Sequence, residues 1–189
     1  MGRQYFKPGA FAGRVGILGM ALVMMLGIIA ASTSSVSGAT QPPKYFIFDN
    51  LHSQMCLDLS TRTSYGEPQL VQSICDRSWW QQWERLDAYK RWVDNSYWFE
   101  FVNRANHHCM DVVNSSLNDG AAVISGYCDG GDSQRWAMEP TRSFGLYTLR
   151  NLKSRKVLEI YGISKSYRAP AVQWASWWGP NQLWYGNPL

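Results

Sequence analysis

Histidine is scarce in this chain, and the arrangements that hydrolytic enzymes build around it are missing. Only three histidines occur in 189 residues, and neither a Gly-x-Ser-x-Gly nor a His-Glu-x-x-His pattern is present. His107 and His108 adjoin a cysteine, and His52 lies in a predicted turn. No pair of carboxylates shares a strand context suited to acid–base chemistry. We therefore expect no enzymatic activity and no cofactor.

A large excess of charge of one sign is also lacking. The formal net charge of +4 includes three cations near the amino terminus, and without them 15 Lys and Arg face 14 Asp and Glu. Nucleic-acid recognition calls for a basic patch or stripe. The short cluster Lys153, Arg155 and Lys156 is typical of a solvated loop. We therefore expect no nucleic-acid partner.

The amino-terminal segment has the pattern of a secretory signal. Basic residues Arg3, Lys7 and Arg14 precede the uncharged apolar run 15–31, and Ser37-Gly38-Ala39 is a suitable cleavage site. Residues 1–39 are predicted to be the signal peptide, which leaves a secreted, extracellular domain of residues 40–189. The alternative is an uncleaved amino-terminal membrane anchor, because 17 residues are about the minimum that spans a bilayer. Only that alternative would give stable membrane insertion.

An internal repeat organises the rest of the chain. Five positions recur three times with steps of 6, 25, 31 and 33 residues from the first, and the copies stand 53 and 48 residues apart. A repeat of this length is one supersecondary unit that cannot bury its apolar face alone. The positions are Asn50, Cys56, Cys75, Gln81 and Trp83; Asn103, Cys109, Cys128, Gln134 and Trp136; and Asn151, Val157, Ser176, Gln182 and Trp184.

All four cysteines belong to this repeat. The pairs Cys56/Cys75 and Cys109/Cys128 each span 19 residues, which in a secreted chain predicts two local disulfides of about 3 kcal/mol each. The alternative at His107-His108-Cys109, a metal site, lacks the ligand spacing that zinc usually has. We therefore expect no metal.

Short strand-like segments fill each copy, and no amphipathic helix is evident after residue 40. Runs such as Cys56-Leu57-Asp58-Leu59 alternate apolar and acidic residues with period two, so one face should be buried and the acid should point outward. Three copies of about 50 residues, at roughly 44–90, 97–140 and 144–187, predict an all-β, threefold fold.

The Gln-x-Trp triplets at 81–83, 134–136 and 182–184, with Cys-Leu-Asp-Leu at 56–59 and Cys-Met-Asp-Val at 109–112, resemble the signature of ricin B-type lectin domains. The resemblance covers residues 44 to 187 and implies a β-trefoil with Trp83, Trp136 and Trp184 in its core. It also implies carbohydrate binding. An aromatic plate would take the C–H face of a pyranose, and carboxylate and amide groups would take its hydroxyls.

The third repeat has all the parts that the family uses for galactose-like glycans. The acid position holds Glu159 in place of the usual Asp, and the added methylene moves the carboxylate by more than a hydrogen-bond tolerance. The aromatic position holds Trp174, and the backbone passes the sugar at Val172. Asn181 and Gln182 complete the predicted site.

The other two repeats are poorer candidates. The first keeps Asp58 and Gln81 but has Ser73 and Trp80 at the aromatic and Asn positions. The second keeps Asp111 and Gln134 but has Gly126 at the aromatic position and Ser133 at the Asn position. Tyr127 lies one position away from the aromatic position.

The doublets Trp79-Trp80 and Trp177-Trp178 precede two of the triplets in predicted loops. Exposed aromatic pairs are typical of contact surfaces, although they could also pack over the ends of the trefoil. Two functions are therefore expected as alternatives. One is a secreted lectin domain that binds glycans, and the other is a receptor-binding or accessory subunit of a secreted toxin or enzyme complex that contacts a partner protein through these tryptophans.

Overall fold

The computed structural model describes residues 44–64, 66–91 and 96–189, and the predicted signal peptide or anchor lies outside them. The described residues form twelve strands joined by turns, and their helical segments are 3₁₀ turns of three residues each. None of these is long or apolar enough to cross a membrane. The strands are β1 Tyr45–Asn50, β2 Cys56–Ser64, β3 Glu67–Ser73, β4 Trp83–Arg91, β5 Ser96–Asn103, β6 Cys109–Val112, β7 Val123–Gly126, β8 Arg135–Pro140, β9 Leu146–Asn151, β10 Val157–Ile160, β11 Ala171–Trp174 and β12 Trp184–Pro188.

Six of the strands close into an antiparallel barrel. In order around the barrel these are β1, β4, β5, β8, β9 and β12, and β12 pairs with β1 to complete the ring. The other six form three hairpins, β2–β3, β6–β7 and β10–β11, one in each repeat. This is a β-trefoil of three lobes, which confirms the all-β, threefold fold predicted from the repeat and the β-trefoil implied by the resemblance to ricin B-type lectin domains. Full closure leaves the barrel without an edge strand.

The tryptophan of each triplet lies in the core, which confirms the prediction for Trp83, Trp136 and Trp184. All three are fully buried, and each indole nitrogen donates to a carbonyl 26 residues earlier in the chain. A buried indole N–H usually needs such a partner, because leaving it unpaired costs free energy. The acceptors are the carbonyl oxygens of Leu57, Met110 and Leu158, at 3.4, 2.9 and 3.1 Å.

The asparagine of each repeat joins one lobe to the preceding one. The Asn50 Nδ2 donates to the Asn181 carbonyl at 3.0 Å, and its Oδ1 accepts the N–H groups of His52 and Ser53 in the following turn. The equivalent amides of Asn103 and Asn151 donate to the carbonyl of the residue just before the preceding Gln-x-Trp triplet. These bonds place each triplet against the start of the neighbouring lobe.

Both predicted disulfides are present. Cys56 bonds to Cys75 and Cys109 bonds to Cys128, and the described residues contain no free cysteine. The thiol that the metal interpretation needed at Cys109 is therefore oxidised. In the third lobe the buried Val157 takes the place of the first cysteine, so apolar packing replaces the covalent bond there.

Candidate functional site

The glutamine of the third triplet has every hydrogen-bonding group engaged. The Gln182 Oε1 accepts the N–H groups of Trp177 at 2.9 Å and Trp178 at 3.2 Å. Its Nε2 donates to a Glu159 carboxylate oxygen at 2.7 Å and to the Ala175 carbonyl at 3.0 Å. This one side chain therefore fixes both the acid of the predicted site and the loop that carries the tryptophan doublet.

The same arrangement recurs in the other two lobes. Gln81 donates to Asp58 at 3.0 Å, and Gln134 donates to Asp111 at 3.1 Å. Each also accepts two backbone N–H groups and donates to one carbonyl of its own turn. Because their amides are saturated, the three glutamines have no group left for another partner, and they position the acids and turns of their lobes.

Glu159 is buried, with only 4% of its surface exposed, so the expectation that this acid points outward is wrong. The Trp177 ring lies over Gly179 so closely that a Cβ on Gly179 would fall 2.0 Å from it. Burial raises the pKa of Glu159 above its ordinary value of 4.5, although hydrogen bonding to Gln182 and Trp177 opposes that shift. The longer side chain therefore ends inside the lobe, next to Trp177.

Replacing Glu159 with Gln should alter the pH dependence of stability. An acid whose folded pKa is raised binds more protons when folded, so its contribution to stability falls as pH rises from about 4.5 through the folded pKa. Glu159→Gln removes this loss and keeps an oxygen that can accept from Gln182. The melting temperature of the variant minus that of the parent should rise between pH 4 and pH 7.

If this difference in melting temperature stays flat or falls with pH, the folded protein does not favour the protonated form of Glu159. Asp49 serves as the reference, because burial also raises its pKa and it is present in both proteins. The melting temperature of the parent alone would mix the two groups, whereas the difference between the proteins isolates Glu159.

Asn181 and Val172 lie in the same buried layer as Glu159. The Asn181 Nδ2 donates to the Ile160 carbonyl at 2.9 Å, while its buried Oδ1 has no partner. Val172 is paired with Glu159 across β10 and β11, and it also bridges Ala122 of the second lobe. The predicted site residues are therefore brought together, but as a floor beneath the surface.

Trp174 is the part of the predicted site that reaches the surface. Its ring is half-buried, with a centroid 6.3 Å from that of the exposed Tyr161, and it packs near Gly120 of the second lobe. Asp119 stands beside it and accepts from the Ala175 N–H and the Lys156 ammonium. Sequence reasoning missed Tyr161 because it is not one of the family's binding positions within a repeat. It missed Asp119 because contacts between lobes were not considered.

Two glutamines clamp loops of one lobe onto the next. The Gln173 Nε2 donates to the carbonyls of Ser116 at 2.8 Å and Asn118 at 3.0 Å, which holds the loop with Asp119 against Trp174. Gln72, at the equivalent position of the first lobe, holds the third lobe's loop through the carbonyls of Ser164 and Ser166. The second lobe has Ser125 at this position, and its hydroxyl bonds to Asn106 instead.

The first lobe has an open cleft at the place where the sequence indicated a poor site. A cavity of about 510 Å³ lies against Asp58, and Trp80 and Tyr167 line it with 50% and 55% of their surfaces exposed. Tyr167 comes from the third lobe on the loop that Gln72 holds. Aromatic surface is therefore present although Ser73 occupies the family's aromatic position. The other polar side chains of the cleft include Asp76, Ser78 and Arg168.

The second lobe has an acid without an aromatic plate. Asp111 accepts from Gln134 through one carboxylate oxygen, and the other is buried without a partner. The exposed Tyr127 ring packs against His108, with centroids 4.3 Å apart. Its carbonyl accepts from Gln134, so Tyr127 is fixed in its present position by two contacts.

Comparison with solved structures finds the same β-trefoil fold. A designed threefold-symmetric protein, ThreeFoil, is 28% identical with a TM-score of 0.69, over 77% of this chain and 99% of its own. The exo-β-1,3-galactanase of Clostridium thermocellum is 23% identical with a TM-score of 0.69, over 79% of this chain and 31% of the galactanase. The Macrolepiota procera ricin B-like lectin, solved with lactose, is 13% identical with a TM-score of 0.62, over 80% of this chain and 99% of the lectin.

A search of curated protein sequences found no match. The family model described as a ricin-type beta-trefoil lectin domain-like family matches residues 35–125, 79–174 and 132–189, which together cover more than half of the chain. The repeated triplets, the closed barrel with three hairpins and this match agree, and the chain belongs to the ricin-type β-trefoil lectin-like family.

Proposed function

We propose that this chain is a secreted carbohydrate-binding domain that recognises galactose-like glycans, with its main site in the third repeat. The observation that carries the proposal is the surface position of Trp174 directly beside the layer of Glu159, Asn181 and Gln182. An indole offers a flat apolar face to the C–H groups of a pyranose, and Tyr161 extends that face. Binding without catalysis is the role that this arrangement supports.

The polar groups around Trp174 would orient the sugar. Asp119 and Lys156 stand at the rim, where hydroxyl groups of a stacked sugar remain partly hydrated. The unpartnered Asn181 Oδ1 is an acceptor in the floor beneath. A hydroxyl that donates to it would satisfy a buried polar atom, which is favourable because an unpaired buried acceptor costs free energy. The Glu159 carboxylate is buried and bonded by Gln182 and Trp177, so it reaches a sugar only if those contacts change.

The test is a titration of the secreted domain with galactose, lactose and glucose. A shallow site should bind galactose and lactose at around millimolar, or about −4 kcal/mol, and glucose more weakly. Trp174→Ala should weaken this binding. Trp80→Ala is its matched control, because it removes an exposed tryptophan from the first-lobe cleft. Equal affinity for all three sugars would contradict the galactose preference. Loss of binding in the control alone would place the main site in the first lobe.

Secretion is supported by the two disulfides, which form and persist in oxidising compartments. Mass spectrometry of the protein that the producing cell exports should find an amino terminus near residue 40. A membrane-bound product that retains residues 1–39 would instead support the anchor.

The alternative function, contact with a partner subunit, is favoured by one observation at the second tryptophan doublet. Trp178 is 60% exposed and has a φ of +64°, a left-handed conformation that bulky residues rarely adopt. The equivalent Arg77 and Gly130 share this conformation, so the turn adopts it in every lobe, and the third lobe uses it to present a tryptophan to solvent. Aromatic side chains are enriched at protein contact surfaces. A photo-crosslinking residue at position 178 should capture the subunit covalently in the producing cell. If no adduct forms there while glycan binding persists, the subunit role is contradicted.

Trp178→Gly should leave the fold intact, because glycine adopts a positive φ without strain. The equivalent residue in the second lobe is Gly130, with a φ of +73°. Relief of about 1 kcal/mol of backbone strain should roughly offset the greater entropy of glycine in the unfolded chain. The melting temperature should therefore stay within a few degrees of the parent. A large decrease would mean that Trp178 packs as part of the structure and is not held for contact.

A further inference from the structure

The open end of the barrel has a ring of side chains that the lobe sites do not use. Three aromatic residues lie four positions before the repeat asparagines, and three other residues lie two positions after the triplet tryptophans. Both sets therefore follow the threefold repeat. The first set is Phe46, Phe99 and Tyr147, and the second is Arg85, Met138 and Gly186.

Arg85 is the charged member of this ring. Its guanidinium stacks between the rings of Phe46 and Phe99, 5.0 and 4.7 Å from their centroids. No carboxylate among the described residues pairs with it. A partly buried cation held by two aromatic faces keeps its N–H groups available to an anion, because aromatic rings do not accept them as a carboxylate would.

A cavity of about 540 Å³ opens over Arg85, which is the size of a small-molecule site. Arg155 lines its wall and lies 5.0 Å over the Trp98 ring, and no carboxylate of the described residues pairs with Arg155 either. Glu139 also lines the cavity, but it accepts from Arg150 at 2.7 Å and Thr148 at 3.2 Å. The cavity therefore combines aromatic walls with two cations that no carboxylate of residues 44–64, 66–86 and 97–189 pairs with.

Gly186 helps to keep this end open. A Cβ at this position would fall 2.9 Å from the Met138 Cε and 3.3 Å from the Tyr147 ring. The equivalent positions hold Arg85 and Met138, whose long side chains reach into the mouth. The absence of a side chain here leaves room for Met138 and Tyr147, which line the cavity.

We propose that this barrel-mouth cavity binds an organic oxyanion, namely a carboxylate, sulfate ester or phosphate ester carried on a sugar ring. The oxyanion pairs with the Arg85 guanidinium, and the ring packs on the partly exposed Phe99 and Tyr147. The buried Phe46 holds Arg85 and does not meet the ligand. Arg155 raises the positive potential at the opposite wall. Guanidinium groups suit this role because their N–H fork matches the geometry of an oxyanion.

The site is separate from the one proposed in the third lobe. Strand β1 runs from Phe46 at the mouth to Asn50, which holds the Asn181 carbonyl of the third lobe. Four residues of strand span about 13 Å. One glycan with neutral and acidic sugars would be able to bind the third lobe of one protein molecule and the barrel mouth of another. Each site can also be tested without the other.

The experiment is calorimetric titration of the secreted domain with galactose 6-sulfate, glucuronate, neutral galactose and inorganic sulfate. Arg85→Met should weaken binding of the two acidic sugars by at least about tenfold, the effect expected for loss of a charged hydrogen-bond partner. Arg85→Lys should restore part of it. Trp174→Ala should leave acidic-sugar binding at the mouth unchanged and affect only neutral galactose, so failure of the third-lobe proposal would be recognised separately.

A second variant protects the test against a folding defect at Arg85. Arg155 is exposed, and Arg155→Gln should weaken acidic sugars several-fold and flatten the dependence of affinity on salt. The proposal is overturned if both variants bind acidic sugars like the parent, or if inorganic sulfate binds as tightly as galactose 6-sulfate, since the aromatic walls would then contribute nothing.

Discussion

Trp136→Ala is expected to destabilise the domain by about 3–5 kcal/mol, the usual cost of emptying a buried aromatic site. Trp136 is fully buried in the barrel core, and its indole nitrogen donates to the Met110 carbonyl at 2.9 Å. The substitution leaves both a cavity and a carbonyl without its partner. Chemical denaturation monitored by far-ultraviolet circular dichroism should show the loss as a lower midpoint with a similar slope.

Trp136→Phe provides the matched comparison. It keeps most of the apolar volume and removes the indole N–H, so its loss should be clearly smaller than that of the alanine variant. An alanine variant as stable as the parent would mean that the triplet tryptophan is not a core residue, and the structural role of the repeat would have to be abandoned.

Trp174→Ala is expected to weaken galactose and lactose binding by at least tenfold, or about 1.4 kcal/mol, which removes a millimolar affinity from the measurable range. The reason is the loss of the flat face on which the sugar stacks. The half-buried ring contributes less to packing than a core tryptophan. The loss of stability should therefore be well below that of Trp136→Ala.

Asn181→Ala separates stacking from hydrogen bonding in the same site. It removes the unpartnered Oδ1 but also the Nδ2 bond to the Ile160 carbonyl, so it should affect both affinity and stability.

Glu159→Asp shortens the buried acid to the family's usual residue. Tighter sugar binding in that variant would mean that the natural glutamate weakens the site, whereas weaker binding would mean that it selects a different sugar.

The fold could be predicted from the sequence because its information is local and repeated. The positions of Asn50, Gln81 and Trp83 recur in register, and each makes the same hydrogen bonds in all three lobes. The disulfides followed from the same spacing. Such patterns survive in a sequence because every copy obeys the same geometric requirement.

The surface of the sites could not be predicted in the same way, because it is built from two lobes at once. Tyr167 lines the first-lobe cleft although it belongs to the third repeat, and Gln72 holds its loop there. Nothing in the spacing within one repeat indicates that contact. The burial of Glu159 was missed because the alternation of apolar and acidic residues in β10 does not reveal that Gln182 and Trp177, farther along the chain, bond to its carboxylate.

Binding of a galactose-like sugar on Trp174 of this lectin domain is a claim that nuclear magnetic resonance of the tryptophan indole N–H groups tests at the residue itself. The Trp174→Phe variant identifies the Trp174 signal by its disappearance. On titration of the parent with lactose, we predict a saturable shift of the Trp174 signal and no shift of the buried Trp136 signal. A saturable shift elsewhere, with the Trp174 signal unmoved, would contradict the claim.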